Sequence, residues 1–369
     1  MKIILVHKAE FQKRPPVISS LLILSDLGYE LILVTEDITD YWRCELHNRG
    51  IKIEVIPNRY KGKWGKIGKI LSYFNFRNSF KRVINKYFTG KGNELLWVEG
   101  AQTLVALGKL IQKHKYILQI QELHENSKMQ LKSISYVIHQ AECVFMPEYN
   151  RTMLYKLWFK LKKSPIVLPN KAYFFPDENV LQSVEQDYKE IVTKMKDKKI
   201  ILYQGYIGKD RDLTGLVKAV KALGDDFILL LLGNDCSGLV NEYRIINPNL
   251  IHIEYIPAPY YLFFTSISYI GVLSYNDDVL NNIYCAPNKI YEYSKYALPM
   301  LGNNIPGLKY TIEINSAGKI IDFEDSEEII KALNEISANY ELYSLNSFKI
   351  FDSLDNQEII DIALKKIKF

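Results

Sequence analysis

Three stretches combine residue types and spacing suited to chemistry. In Ala286-Pro287-Asn288-Lys289-Ile290-Tyr291-Glu292, a proline precedes a short helical pattern, and a lysine and a glutamate lie within about one turn of each other. Proline fixes φ near a helix start, where backbone N–H groups favour phosphate. Lys289 adds a full positive charge there, and Glu292 can accept from ribose hydroxyls. The second stretch is Tyr203-Gln204-Gly205-Tyr206-Ile207-Gly208-Lys209-Asp210-Arg211-Asp212-Leu213, a strand end, a glycine-bearing loop and basic residues just before a helix. Phosphate cradles are built this way. The third is Gln119-Ile120-Gln121-Glu122-Leu123-His124-Glu125-Asn126, in which an apolar strand delivers a histidine and carboxylates to its C-terminal end. That end is the ligand edge of a parallel sheet, and His124 there can hydrogen-bond a sugar. Taken alone, a strand-end histidine is more often structural or solvent-facing, so its weight comes from the other two stretches.

These residues need a scaffold, and the periodicity predicts one. Residues 2–6 read as a buried strand, Val17 to Leu27 as a helix ending at Gly28, and Leu31 to Val34 as the next strand. Residues 51–56, 95–98, 117–121 and 143–146 continue the alternation, which predicts a doubly wound parallel sheet over residues 1–170. The Pro-containing stretch near Ile166-Val167-Leu168-Pro169-Asn170 and the charged segment that follows place a link at 171–197. The alternation restarts with 199–204 as a strand, 213–223 as a helix and strands at 227–232 and 251–255, giving a second α/β domain over 198–349. Two such domains in series predict a cleft between the carboxyl ends of their sheets. The segment 350–369 is expected to pack back on the first domain, with Ile359, Ile360, Ile362, Ala363 and Ile367 on a helical stripe and Lys365, Lys366 and Lys368 in its last turn.

Composition excludes several classes. The 369 residues suffice for two cores, and 48% hydrophobic with 24% charged residues is ordinary for globular chains. No apolar run approaches the length of a membrane-spanning helix, and Met1-Lys2-Ile3-Ile4-Leu5-Val6-His7 turns polar too soon for a secretory signal, so the expected location is the cytoplasm. Cys44, Cys143, Cys236 and Cys285 form no Cys-x-x-Cys pair, which excludes a zinc or disulfide framework. A net charge of +5 is too small to imply nucleic acid. Neither a GxGxxG fingerprint nor a P-loop is present, against dehydrogenases and P-loop ATPases.

In order and character, the three stretches resemble the retaining glycosyltransferases of GT-B fold, of the family 4-like or group 1 type, that build bacterial capsules, exopolysaccharides and lipopolysaccharides. Val144 to Leu154, Val167-Leu168-Pro169-Asn170 and Leu231-Leu232-Gly233 extend the likeness over nearly the whole chain. The resemblance implies two Rossmann-like domains facing across a cleft, with the acceptor on the first and the nucleotide-sugar donor on the second. It assigns Arg211 and Lys289 to the donor diphosphate, Glu292 to the ribose, and His124 to the donor sugar, with Glu125 orienting the histidine or acceptor. Asn288 and Gly205 match positions whose backbone lies near the nucleotide, Lys209 is a further phosphate candidate, and Gly233 matches the base pocket. The family's paired glutamates are separated by seven residues, and counting back from Glu292 the first falls on Tyr284, a departure that bears on recognition of the transferred sugar. A UDP-, GDP- or dTDP-sugar donor, a saccharide or lipid-linked saccharide acceptor and retention of configuration follow from the same resemblance.

No cofactor or metal is expected. The one Asp-x-Asp, Asp210-Arg211-Asp212, brackets an arginine at a helix start, where Asp is an ordinary N-cap. Fixed cations can replace a divalent ion in stabilising a departing diphosphate. From Tyr60 to Phe88 the chain carries Lys61, Lys63, Lys66, Lys69, Arg77, Lys81, Arg82 and Lys86 with no acidic residue, interleaved with aromatics. That pattern suits peripheral contact with an anionic membrane surface, and equally a solvated basic face over an apolar stripe. Lys13 and Arg14, before Pro15-Pro16, are candidate acceptor-side residues. Two other readings fit the same fold: a nucleotide-sugar epimerase or hydrolase, and a catalytically silent binding subunit.

Overall fold

The computed structural model describes residues 1–89 and 92–367. They divide into two compact units, one of residues 1–174 together with the chain from Asp355 onward, the other Phe175–Leu354.

The first unit is a seven-stranded parallel sheet of β1 (Lys2–Glu10), β2 (Glu30–Asp37), β3 (Lys52–Val55), β4 (Glu94–Glu99), β5 (Tyr116–Gln119), β6 (Cys143–Met146) and β7 (Ile166–Val167), ordered β3-β2-β1-β4-β5-β6-β7. The order reverses between β1 and β4, which makes the carboxyl ends of those two strands the topological switch point. Apolar rows run across the strands in register. Leu33, Leu5, Trp97 and Ile117 form one of them, buried beneath the Pro15–Asp26 helix. Proline at the start of that helix costs no hydrogen bond, since the first N–H groups have no partner inside the helix. The Asn356–Lys365 helix, N-capped by Asp355, buries Ile360, Ala363 and Leu364 in the same core. Lys368, placed by the sequence in its last turn, lies outside the described residues.

The second unit is a six-stranded parallel sheet of β8 (Lys199–Gln204), β9 (Phe227–Leu232), β10 (Ile251–Ile253), β11 (Ile270–Leu273), β12 (Met300–Asn303) and β13 (Gly318–Ile321), ordered β10-β9-β8-β11-β12-β13. Its switch point lies between β8 and β11. The region expected as a link, 171–197, carries two helices, Glu178–Asp187 and Lys189–Met195, whose Val184 and Met195 belong to this unit's core. A second helix face so committed extends the domain rather than tethering it.

Candidate functional site

In the second unit, three residues predicted for phosphate come together at the switch point. Gly205 follows β8 with φ +150°, and a Cβ added there would meet Lys289 Cε at 3.3 Å, Lys289 Nζ at 3.4 Å and Arg211 Nη1 at 3.8 Å. A glycine loop, an ammonium and a guanidinium thus share one spot. The Arg211 guanidinium lies 4.5 Å from the ring centre of Tyr275, just past β11, so the stack spans the switch point. Asn303, ending β12, fixes Tyr275 in turn: its Oδ1 accepts from the Tyr275 N–H at 3.0 Å and its Nδ2 donates to the Tyr275 carbonyl at 2.6 Å. Tyr275 and Asn303 escaped the sequence reading. Their strand-end positions are visible only once the strand order is known.

Lys289 stands in the first turn of the Asn288–Lys295 helix, whose N-cap is Pro287 and which offers no side-chain cap of its own. Burial lowers the pKa of its ammonium, Glu292 opposes that shift, and Arg211 adds to it. Neither Lys289 nor Arg211 forms an ion pair among the described residues. Two cations held together without a carboxylate between them repel, and an anion relieves the repulsion.

Glu292, only 3% exposed, is held from both sides: Oε2 accepts from Gln204 Nε2 at 2.7 Å and Oε1 from the Tyr261 hydroxyl at 2.6 Å. Gln204 Oε1 accepts from Thr265 at 3.0 Å, which fixes the amide. Burial pushes the Glu292 carboxyl up, and the Tyr261 hydrogen bond works against that. A ribose hydroxyl would add to a carboxylate whose orientation is already set.

Gly233 follows β9 with φ +153°, and a Cβ there would fall 1.8 Å from the Gly205 carbonyl oxygen. Its glycine identity therefore lets the two strand-end loops touch. Lys209 is exposed and lines an open pocket of about 780 Å3 with Arg211, Tyr275, Asn276 and Asn303. Tyr284 is half-buried and ends the short Leu280–Ile283 helix.

In the first unit, His124 and Glu125 follow β5, half-buried, and His124 adopts φ +61°. A non-glycine residue in that region is strained and persists where its surroundings impose it. Here they do. The Tyr149–Trp158 helix sends Arg151 to the Gln121 carbonyl and Tyr155 to the carbonyls of Glu122 and Leu123, both at 3.1 Å. Burial holds the His124 imidazole below the usual histidine range, with Glu122 and Glu125 pulling the other way, so it is neutral at pH 7. Arg151 and Tyr155 were not singled out by the sequence, since only the fold shows that they face the histidine loop.

Lys13 and Arg14 immediately precede the Pro15–Asp26 helix, Arg14 as its N-cap. They line a pocket of about 540 Å3 together with Glu10, Glu36, Asp37 and Lys61. Lys13 is paired to Glu10 at 2.9 Å.

No family model matches the chain, and no curated protein matches it in sequence. Solved structures do resemble it. HepE of Anabaena, in complex with UDP and glucose, superposes with a TM-score of 0.72 and 12% identity over 100% of both chains. The sucrose-phosphate synthase of Thermosynechococcus elongatus gives a TM-score of 0.70 and 17% identity over 99% of this chain and 97% of its own. A glycosyltransferase of Rickettsia africae gives 0.69 and 14% over 100% and 99%. At such identities the likeness is one of fold, and the fold is that of the GT-B glycosyltransferases.

Proposed function

We propose that this chain is a glycosyltransferase that takes a hexose-type sugar from a nucleoside-diphosphate donor held by its second unit. The observation that carries this reading is the Lys289–Arg211 couple at Gly205, two cations brought to one spot at the switch point. HepE, of the same fold, is described with UDP and glucose bound. As the bond between sugar and diphosphate breaks, negative charge grows on the leaving phosphate, and two fixed cations and the first turn of the Asn288–Lys295 helix stabilise it. Glu292 receives the ribose, and neutral His124 hydrogen-bonds the transferred sugar. Because protein cations meet the charge, turnover proceeds without a divalent ion. Configuration is retained, and the acceptor is a saccharide, lipid-linked, of the capsule, exopolysaccharide or lipopolysaccharide kind.

The lipid-linked acceptor is supported by the Gly65–Tyr87 helix. Its inner face buries Phe76, Phe80, Val83 and Ile84, while Trp64, Ile67, Ile70 and Phe74 stay 53–68% exposed along an outer row flanked by Lys63, Lys66 and Lys69. An apolar row edged by lysines suits an anionic lipid surface. Among the described residues no helix is long and apolar enough to cross a membrane.

Incubation with UDP-, GDP- and dTDP-sugars and a saccharide acceptor, read by released nucleoside diphosphate and by product, tests the reading. A new glycoside that still forms in EDTA supports it. An isomerised donor points to an epimerase, free sugar to a hydrolase, and no turnover with any donor to a silent binding subunit.

A further inference from the structure

The Tyr340–Asp352 helix of the second unit has two unlike faces. Tyr343, Ser347 and Ile350 are buried on the inner one, and the Ser347 hydroxyl donates to the Leu298 carbonyl at 2.7 Å, just past the helix that carries Lys289 and Glu292. On the outer face Leu342, Leu345 and Phe348 stay 56%, 55% and 39% exposed. They recur every three residues, so neighbours touch and form one slanting row. The Asn346 amide donates to the Ser316 carbonyl at 3.2 Å, which brings the turn holding Ile314, 68% exposed, alongside. A single exposed leucine needs no account, whereas an apolar row continued by a neighbouring turn marks a surface that meets something.

Charge distinguishes this row from the one on the Gly65–Tyr87 helix. There the flanking Lys63, Lys66 and Lys69 are all cationic, which repels a second copy and suits an anionic surface. Here Glu341 stands at one end of the row and Lys349 at the other, both exposed. Eight residues put them about 12 Å apart along the axis, too far to pair within one helix. The row is self-complementary. Leu342 and Phe348 lie three residues on either side of Leu345, and Glu341 and Lys349 lie four. A two-fold axis beside Leu345 lays a second copy of the helix antiparallel, with Leu345 against its own copy. Leu342 then comes level with the partner's Phe348, and Glu341 with the partner's Lys349. Such a contact uses the same patch on both molecules and closes as a dimer. The antiparallel run also sets the positive start of each helix dipole beside the negative end of the other.

We propose that this outer face is a docking surface for a second copy of the chain, paired antiparallel about Leu345. The apolar row supplies the attraction, and the levels of Glu341 and Lys349 fix direction and register, as charges flanking a helix seam do. A second copy fits better than an anionic membrane, because Glu341 and Asp352 put carboxylates on the same exposed face. One helix face and one turn make a small interface, so pairing sets in at protomer concentrations of roughly 10 µM rather than in the nanomolar range. The inference stands independently of the transferase reading.

Sedimentation velocity of the full chain between about 1 and 100 µM tests this. The wild type should pass from monomer to dimer across that range. Leu345→Asp, which sets two carboxylates face to face on the axis, should stay monomeric throughout. Glu341→Lys and Lys349→Glu should each weaken the dimer about fivefold, and the two together should return it to within about twofold of the wild type, since exchanging both charges restores both pairs. All three positions are exposed, so circular dichroism and melting temperature should match the wild type, which separates lost pairing from lost folding. A wild type still monomeric at the highest concentration, a dimer that survives Leu345→Asp, or charge variants that the double exchange does not rescue would overturn the proposal. So would a monomer that binds phosphatidylglycerol vesicles through Leu345, a result that assigns the face to lipid.

Discussion

The two switch points solve the same positional problem with opposite materials. In the first unit, neighbouring strand ends meet through a buried contact between the His7 imidazole and the Glu99 carboxyl group. In the second, β8 and β11 are joined by a cation on an aromatic ring, Arg211 over Tyr275, while the loops after β8 and β9 touch where Gly205 meets Gly233. A polar pair buried over an apolar core is costly to break from one side, because the remaining partner is left buried and unsatisfied. A guanidinium on a ring keeps its charge available for a ligand. The first edge is tied together by its own side chains, whereas the second holds two cations in a way that suits an anion.

Removing one partner of the first junction should therefore have the largest effect on stability. His7→Ala leaves Glu99 buried and uncompensated and should cost about 3–5 kcal/mol in chemical denaturation. A loss below about 1 kcal/mol would mean that the pair is not buried as described. Next comes Gly233→Ala. Its Cβ would fall 1.8 Å from the Gly205 carbonyl in a backbone region that disfavours side chains, whereas Gly28→Ala, at φ +80°, meets nothing within 4 Å. We expect roughly 3 kcal/mol for the first and about 1 kcal/mol for the second, by the same denaturation measurement. Equal losses would show that the glycine loops of the second unit do not touch. Tyr275→Leu is smaller again. It removes the ring under Arg211, worth about 1 kcal/mol, and should weaken UDP binding by roughly fivefold in calorimetry while leaving the melting temperature nearly unchanged.

The smallest effect is one of pH. Burial lowers the Lys289 pKa, so the free protein sheds this proton at a lower pH than an ordinary lysine does. A bound diphosphate favours the charged form. UDP affinity should thus fall as pH rises toward 10, and Lys289→Arg, which stays charged, should flatten the fall. A wild-type profile level to pH 10 would place Lys289 away from the phosphates.

Much of this was legible from residue order. Apolar runs marked β1, β4, β6, β8 and β9 because parallel strands covered on both faces carry little polar alternation. The run Ile270–Leu273 was not read as a strand. It is four residues long and contains Gly271, present because a Cβ there would strike the Tyr293 ring at 2.3 Å. Gly205, Arg211 and Lys289 were found from local signals, a strand end and helix starts. His7 was not, since nothing in Met1 to His7 says that β1 will lie beside β4 rather than β3. Strand order is a property of the whole chain, and the residues that meet across a switch point become neighbours only through it. The same holds for Tyr275, Asn303, Arg151 and Tyr155, each of which acts by holding a residue remote in sequence.

The central claim is that the second unit fixes two cations around a nucleoside diphosphate. Calorimetric titration of UDP, GDP and dTDP into the wild type, Arg211→Ala and Lys289→Ala tests it most directly. The account predicts saturable binding of at least one nucleotide, weakened about tenfold or more by each substitution, with the fold intact by circular dichroism. Binding of equal strength in all three proteins, or none to the wild type, would contradict it.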